Sequence, residues 1–179
     1  MKRLSYFLVV VLVLAFSLQP VMGQSFTEKL AGYKVGATGS FGFINGAFLT
    51  NSPVGASVVI GTPFGYNVSG FDLNFSGALG FYSAEKGGGT SFTPFVFGVG
   101  ANLTLLEFVF AEGHLGLVGS GPGVRGFAGV SLERIMNQSL NLPVNILVGG
   151  EGFISSKPSA DQDNASYWGG LGVRVDYNF

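Results

Sequence analysis

Residues 70–81 read GFDLNFSGALGF, a stretch in which large apolar side chains occupy alternate positions. The apolar set is Phe71, Leu73, Phe75, Leu79 and Phe81. Asp72, Asn74 and Ser76 lie between them. Successive side chains of a β-strand point to opposite faces, so this pattern predicts a strand with one apolar and one polar face. The fold then depends on what meets the apolar face.

The same two-residue period recurs along the chain and is interrupted by segments rich in glycine, proline and polar residues. It predicts eight strands, at about 32–43, 56–65, 70–81, 92–103, 108–118, 124–133, 143–154 and 170–179. The register of the fifth strand is undecided. The alternation places Phe108 and Phe110 on the inward face unless a bulge intervenes.

The connections between these strands alternate between longer and shorter segments. The longer ones lie near 44–55, 83–91, 119–123 and 155–166. An even number of antiparallel strands with short turns at one end is typical of bacterial outer-membrane barrels. The connection at 134–142 is longer than this pattern prefers.

The composition indicates which environment meets the apolar faces. Hydrophobic residues make up 47% of the chain and charged residues only 11%, about half the usual share. A domain with so little charge would be poorly soluble, yet after residue 23 no apolar run is long enough for a spanning helix. A closed barrel is the other way to cross a bilayer, because it pairs every backbone group between strands. We therefore predict an all-β fold, an eight-stranded antiparallel up-and-down transmembrane β-barrel.

The N-terminus has the features of a secretory signal peptide. Lys2 and Arg3 precede an apolar run at residues 4–18, which is shorter than the roughly 20 residues of a spanning helix. No cysteine follows that could carry a lipid anchor. We predict a signal peptide at residues 1–23 and a barrel domain at residues 24–179.

The C-terminal strand carries the most specific signal. Residues 170–179 read GLGVRVDYNF, with apolar side chains alternating up to the final aromatic residue. This segment resembles the last strand of outer-membrane β-barrels, and residues 24–179 resemble the small barrels of the outer membrane protein A and X kind. The resemblance implies location in the cell outer membrane, contact with outer-membrane lipid, and recognition by the barrel-assembly machinery. The residues that would carry this assembly signal are Leu171, Val173, Val175, Tyr177 and Phe179.

The polar strand faces would line the lumen, which in an eight-stranded barrel is just wide enough to be filled by side chains. The predicted inward polar residues are Lys34, Asp72, Asn74, Glu112, His114, Arg125, Glu133, Glu151, Arg174 and Asp176. Buried charges are costly unless paired, so we predict a structural network. The alternative is a polar path for small solutes or protons, for which inward glycines such as Gly36 and Gly98 could leave space. Trp168, the only tryptophan, also points inward in this register, near the outer rim.

Catalysis, cofactors and metals have little support in the sequence. His114 is the only histidine, and Gly116 occupies the next position on its face, so no serine partner stands there. The chain has no cysteine for a thiolate site, and Asp161 and Asp163 lack the frame of a calcium loop. A formal net charge of −1 argues against a nucleic-acid partner.

We therefore predict a non-enzymatic envelope protein without a cofactor or bound metal. Two other functions stay open at this point. One is a narrow porin-like channel for small solutes. The other is a soluble exported lipid-binding barrel, in which the apolar faces would line a cavity. The sequence identifies no extracellular partner and does not decide the oligomeric state.

Overall fold

The computed structural model describes residues 29–45, 54–86, 90–136, 143–161 and 165–179. The predicted signal peptide at residues 1–23 lies outside these ranges. No helix among the described residues is long and apolar enough to cross a membrane. Residues 33–178 form one compact unit, and residues 29–32 and Phe179 belong to another. In the latter, the Gly32 N–H donates to the carbonyl of Phe179 at 3.1 Å.

The unit of residues 33–178 is built almost entirely of strands. Its elements are β1 (Lys34–Asn45), β2 (Val54–Val68), β3 (Phe71–Tyr82), β4 (Ala84–Lys86), β5 (Thr90–Phe92), β6 (Phe95–Leu105), β7 (Val109–Val118), β8 (Gly121–Ser131), α1 (Leu132–Ile135), β9 (Asn145–Ser155) and β10 (Ser166–Asn178). Eight strands close into a barrel in which each pairs antiparallel with the next barrel strand along the chain, and β10 pairs back with β1. The predicted eight-stranded up-and-down barrel is thus confirmed, whereas its insertion in a membrane stays a prediction.

Several segments differ from the sequence-based boundaries. The longer connection expected at 119–123 was wrong, because β7 ends at Val118, β8 begins at Gly121, and these two residues pair across a two-residue turn. The loop expected at 83–91 contains a two-stranded ladder of β4 and β5. The strand expected at 124–133 ends at Ser131, because the Ser131 hydroxyl accepts the Arg134 N–H and caps α1. Strand β10 begins earlier than expected, at Ser166.

The two-residue period persists in the burial of the strands. In β3, Phe75 is 50% exposed and Leu79 is 42% exposed, while the intervening Ala78 is buried. The structure also settles the register of β7. Phe110 points inward and is buried, and Phe108 lies before the strand with 39% of its surface exposed.

The two ends of the barrel differ in their connections. What we call the turn end carries the β2–β3 and β6–β7 turns, α1, the start of β1 and the end of β10. What we call the loop end carries the connections β1–β2, β3–β6, β7–β8 and β9–β10. At the turn end, Ser69 and Gly70 have φ values of 37° and 82°, which makes a two-residue hairpin turn of type I′.

Candidate functional site

The eight barrel strands, as far as the structure describes them, carry their charged residues and the histidine only on the inward face. These residues are Lys34, Asp72, Glu112, His114, Arg125, Glu151, Arg174 and Asp176. Six of them, from Glu112 onward in this list, are buried. The structure therefore brings six of the ten predicted lumen residues together in one buried cluster, which we call the lumen network.

Arg125 is at the centre of the lumen network. Its Nη2 and Nε atoms donate to Glu151 Oε1 at 2.5 and 3.1 Å, and its Nη1 pairs with Glu112 Oε1. Nη2 also donates to the Ser57 hydroxyl at 2.8 Å, and Nε to the Tyr82 hydroxyl at 3.2 Å. The rigid fork of guanidinium donors thus joins β8 to four other strands.

Glu151 is held by donors from strands that are distant in sequence. Its Oε2 accepts from the Ser40 hydroxyl at 2.6 Å, and its Oε1 accepts from Ser57 at 2.7 Å and from Tyr82 at 2.8 Å. Arg125 supplies the compensating positive charge. With several donors and one cation, this buried carboxylate meets the conditions under which a buried charge is tolerated.

The ion pairs continue through Glu112 toward the turn end. Glu112 Oε2 pairs with Arg174 Nη1, and Arg174 Nε donates to Asp176 Oδ1 at 2.5 Å. The result is one chain of alternating charge. Its members, in order, are Glu151, Arg125, Glu112, Arg174 and Asp176. Each carboxylate therefore touches at least one guanidinium.

Phe110 supports the cations of this half of the lumen. The Arg174 guanidinium lies 4.9 Å from the centre of the Phe110 ring, and the Lys34 ammonium lies 5.5 Å from it. Both distances are within the range of a cation–π attraction. The aromatic ring thus replaces part of the hydration that burial removes from these cations.

Gly36 makes room for the Arg174–Asp176 pair. A Cβ at Gly36 would lie 2.2 Å from Asp176 Oδ1 and 2.4 Å from Arg174 Nη2. The space beside this inward glycine is therefore filled by side chains, so it does not serve as part of an open path.

His114 links Arg125 to a polar pair, Ser76 and Asn102, that was not predicted from the sequence. Its Nδ1 lies 3.4 Å from Arg125 Nη1, and its Nε2 lies 2.8 Å from the Ser76 hydroxyl, which donates to Asn102 Oδ1 at 2.9 Å. Because a guanidinium only donates, Nδ1 must accept, and the proton of neutral His114 is then on Nε2. In this arrangement His114 donates a hydrogen bond to Ser76 and cannot remove the proton of the Ser76 hydroxyl. A general base would instead accept the proton of its nucleophile.

Ser76 and Asn102 were not predicted as partners of His114 because they lie on other strands. On the strand of His114 itself, the next position on its face is Gly116. In the barrel, Ser76 on β3 is opposite Gly100 on β6, and Gly100 is opposite His114 on β7. Gly100 has no side chain, so Ser76 can reach across it. The only signal in the sequence was that Ser76 has an inward position.

Apolar clusters flank the lumen network. Near the loop end, Trp168 packs with Tyr82, Phe153, Val96 and Val118. Its ring is parallel to that of Phe153 within 2° and 5.8 Å away, and Trp168 faces inward as predicted, with 2% exposed.

A second cluster lies in the half of the lumen toward the turn end. It contains Phe110, Phe127 and Leu147. Arg125 and Arg174, which line the lumen beside these clusters, have no solvent-exposed surface. A water-wide passage along the described lumen would expose such lining groups, so the lumen is filled.

The other four predicted lumen residues lie outside the network. Lys34, Asp72 and Asn74 are inward but half-buried, and Asn74 Nδ2 donates to Asp72 Oδ1 at 3.1 Å. Placing Glu133 on a strand facing the lumen was wrong, because β8 ends at Ser131 and Glu133 is in the first turn of α1.

The described residues contain no candidate metal centre. Asp161 is in a turn, and Asp163 lies outside the described residues. Across the described ranges, no three or more histidine or carboxylate side chains are grouped to hold a metal ion.

The residues of the predicted assembly signal lie mainly on the outer face of β10. Leu171, Val173 and Val175 are 59%, 51% and 37% exposed, and Tyr177 is half-buried. Phe179 follows the strand.

Comparisons with protein-family models, with curated proteins and with solved structures find no match to this chain. The resemblance to small outer-membrane barrels therefore stays a prediction from the sequence.

Proposed function

We propose that this chain is an integral outer-membrane β-barrel protein, a non-enzymatic envelope protein that is anchored by its barrel and presents short loops outside the cell. The observation that carries the proposal is the division of charge between the two faces of the barrel wall. All charged residues of the described barrel strands face the lumen, while the outer face presents large apolar side chains to its surroundings.

The exposed apolar residues are contiguous. Val99, Leu115 and Ile154 are 61–66% exposed and belong to one row of cross-strand neighbours, which also contains Val124 and Tyr167. Soluble monomers rarely expose large contiguous apolar patches. Lipid tails surrounding the wall would remove this surface from water.

The lengths of the strands also fit a lipid environment around the wall. The eight barrel strands have 10 to 15 residues, and a tilted strand needs about 9–11 residues to cross a bilayer. In a soluble lipid carrier the apolar residues would line the cavity, whereas here the cavity holds the lumen network and the apolar residues face outward. The filled lumen likewise favours an anchor over a channel.

The proposed orientation follows from most of the connections. Two of the three at the turn end are tight hairpins, at 69–70 and 106–108, whereas three of the four at the loop end are longer, at 46–53, 83–94 and 156–165. Outer-membrane barrels have short periplasmic turns and longer outer loops, so the turn end would face the periplasm and the loop end the cell exterior. Outer-membrane lipid is then the main partner. The barrel-assembly machinery would read the apolar side chains of β10, of which Leu171 and Val173 are exposed on the outer face.

The test is cell fractionation combined with gel mobility of heated and unheated samples. A closed barrel has no free edge at which its wall can open, so it resists detergent until it is heated. We expect a heat-dependent mobility shift of protein from the outer-membrane fraction. Recovery of the folded chain from the periplasmic soluble fraction would refute the proposal, and discrete conductance steps in planar bilayers would replace the anchor with a channel.

A further inference from the structure

Strand β2 extends beyond the strand that covers one of its edges. β1 begins at Lys34, which is opposite Gly61, so β1–β2 pairing ends there. β2 continues to Val68 and pairs over this extension only with β3. Residues 63–71 are all exposed, and no other described strand pairs with residues 62–68. Among the residues that the structure describes, the β2–β3 hairpin therefore has one free edge at the turn end of the barrel.

The hairpin turn determines which backbone groups belong to this edge. Ser69 and Gly70 form a two-residue turn of type I′, so the flanking Val68 and Phe71 exchange both of their backbone hydrogen bonds. Bonded and non-bonded pairs alternate along an antiparallel ladder. The turn therefore sets the direction of every backbone group in the hairpin.

Applying that alternation to the hairpin leaves four groups unpaired. Tyr66 and Leu73 form the next bonded pair, and the N–H and C=O groups of Gly65 and Asn67 point away from β3. On the far side of β3, the Leu106 N–H donates to the Gly70 carbonyl at 3.3 Å, which fits the same alternation. The free edge thus offers two donors and two acceptors with the spacing of a strand.

We propose that this edge binds an extended peptide segment of another protein by β-strand addition. Donors and acceptors that repeat every second residue are matched by another extended strand, which helices do not offer. On the outer face, Phe64, Tyr66 and Val68 are 65–67% exposed and would pair with apolar side chains of the ligand. Gly65 and Asn67 would face polar or small side chains of the ligand.

The ligand class is therefore an alternating apolar and polar strand without a required charge, since residues 62–70 carry none. A second copy of this chain fits less well. Two barrels in one membrane point the same way, so their β2 edges cannot run antiparallel. Only the exclusion of a second copy rests on the proposed function; the free edge itself does not. In a bilayer the edge would lie outside the hydrocarbon, where unpaired backbone is tolerated.

Fluorescence anisotropy with a labelled eight-residue peptide of alternating valine and threonine tests the proposal on the full chain in detergent micelles. We expect saturable binding that is lost when the peptide is N-methylated at every amide. Asn67→Pro removes an edge N–H but leaves the bonds between β2 and β3, so it should weaken binding about tenfold or more. Asn67→Ala keeps the N–H and should bind as the unaltered chain does. Absence of binding, or equal binding by Asn67→Pro, would overturn the proposal.

Hydrogen exchange on the unaltered chain gives a test that needs no variant. In the free protein the amides of Gly65 and Asn67 should exchange fast and those of Tyr66 and Val68 slowly, and the peptide should slow the first pair. Slow exchange of Gly65 and Asn67 without peptide would overturn the proposal. Slow exchange in a monomer would mean that the chain covers its own edge, and slow exchange in a dimer would mean that a second copy covers it.

Discussion

Arg125→Met tests whether the lumen network holds the barrel together. The substitution keeps much of the side-chain volume and removes the cation between Glu112 and Glu151. Glu112 still pairs with Arg174, but Glu151 loses its guanidinium and keeps only hydroxyl donors. Removing one partner of a buried pair costs about 3–5 kcal/mol. Because hydroxyls still solvate Glu151, we expect about 3 kcal/mol, which is roughly a hundredfold in the folding equilibrium.

A second substitution identifies the charge that destabilises the Arg125→Met variant. Glu151→Gln in the Arg125→Met background removes the uncompensated carboxylate, so the double variant should be more stable than the single one by about 1 kcal/mol or more. Glu112→Gln in the same background is the matched control. It should restore less stability than Glu151→Gln does, because Glu112 keeps its ion pair with Arg174, whereas Glu151 keeps no cation.

Trp168 provides the assay. It is the only tryptophan, and it is buried against Tyr82 and Phe153, so its fluorescence reports unfolding of the barrel. Equilibrium urea titrations of the chain in lipid vesicles would give the free energy of unfolding of each variant. If the free energy of unfolding of Arg125→Met lies within about 0.5 kcal/mol of that of the unaltered chain, the usual range of neutral substitutions, the lumen network does not hold the barrel together. If Glu112→Gln restores stability as well as Glu151→Gln does, the uncompensated charge is not that of Glu151.

Three further predictions concern the wall and the ends of the barrel. Val99→Arg places a charge in the lipid-facing row and should cost about 2–4 kcal/mol in vesicle titrations, whereas a soluble barrel would tolerate it. Gly36→Ala should lower the free energy of unfolding by about 1–3 kcal/mol, since its Cβ overlaps the Arg174–Asp176 pair. Gly39→Ala is the control and should be close to neutral in the same titration, because its Cβ meets nothing within 4 Å. Equal effects of the two substitutions would contradict the filled lumen. Trp168 fluorescence should resist quenching by iodide until urea unfolds the barrel, and ready quenching of folded protein would mean that the loop end is open.

The sequence could predict the inward face because that depends only on local geometry. Extended backbone turns successive side chains to opposite faces, so the positions of Arg125, Glu151 and Trp168 followed from their apolar neighbours. Strand ends were less predictable. Glu133 continues the alternation of β8, but a hydrogen bond from the Arg134 N–H to the Ser131 hydroxyl ends the strand before it.

The partners within the lumen could not be predicted from the sequence. Ser40 and Glu151 are 111 residues apart and meet because β10 closes on β1. Ser76 reaches His114 only through the register of three strands.

The eight strands, their polar and apolar faces and the closed barrel could therefore be predicted from the sequence, since each depends on residues close together in the chain. Which charges pair, where the lumen is filled, and that β2 extends beyond β1 could be seen only in the folded chain. Those features depend on strand register and closure, which bring together residues that no local pattern connects.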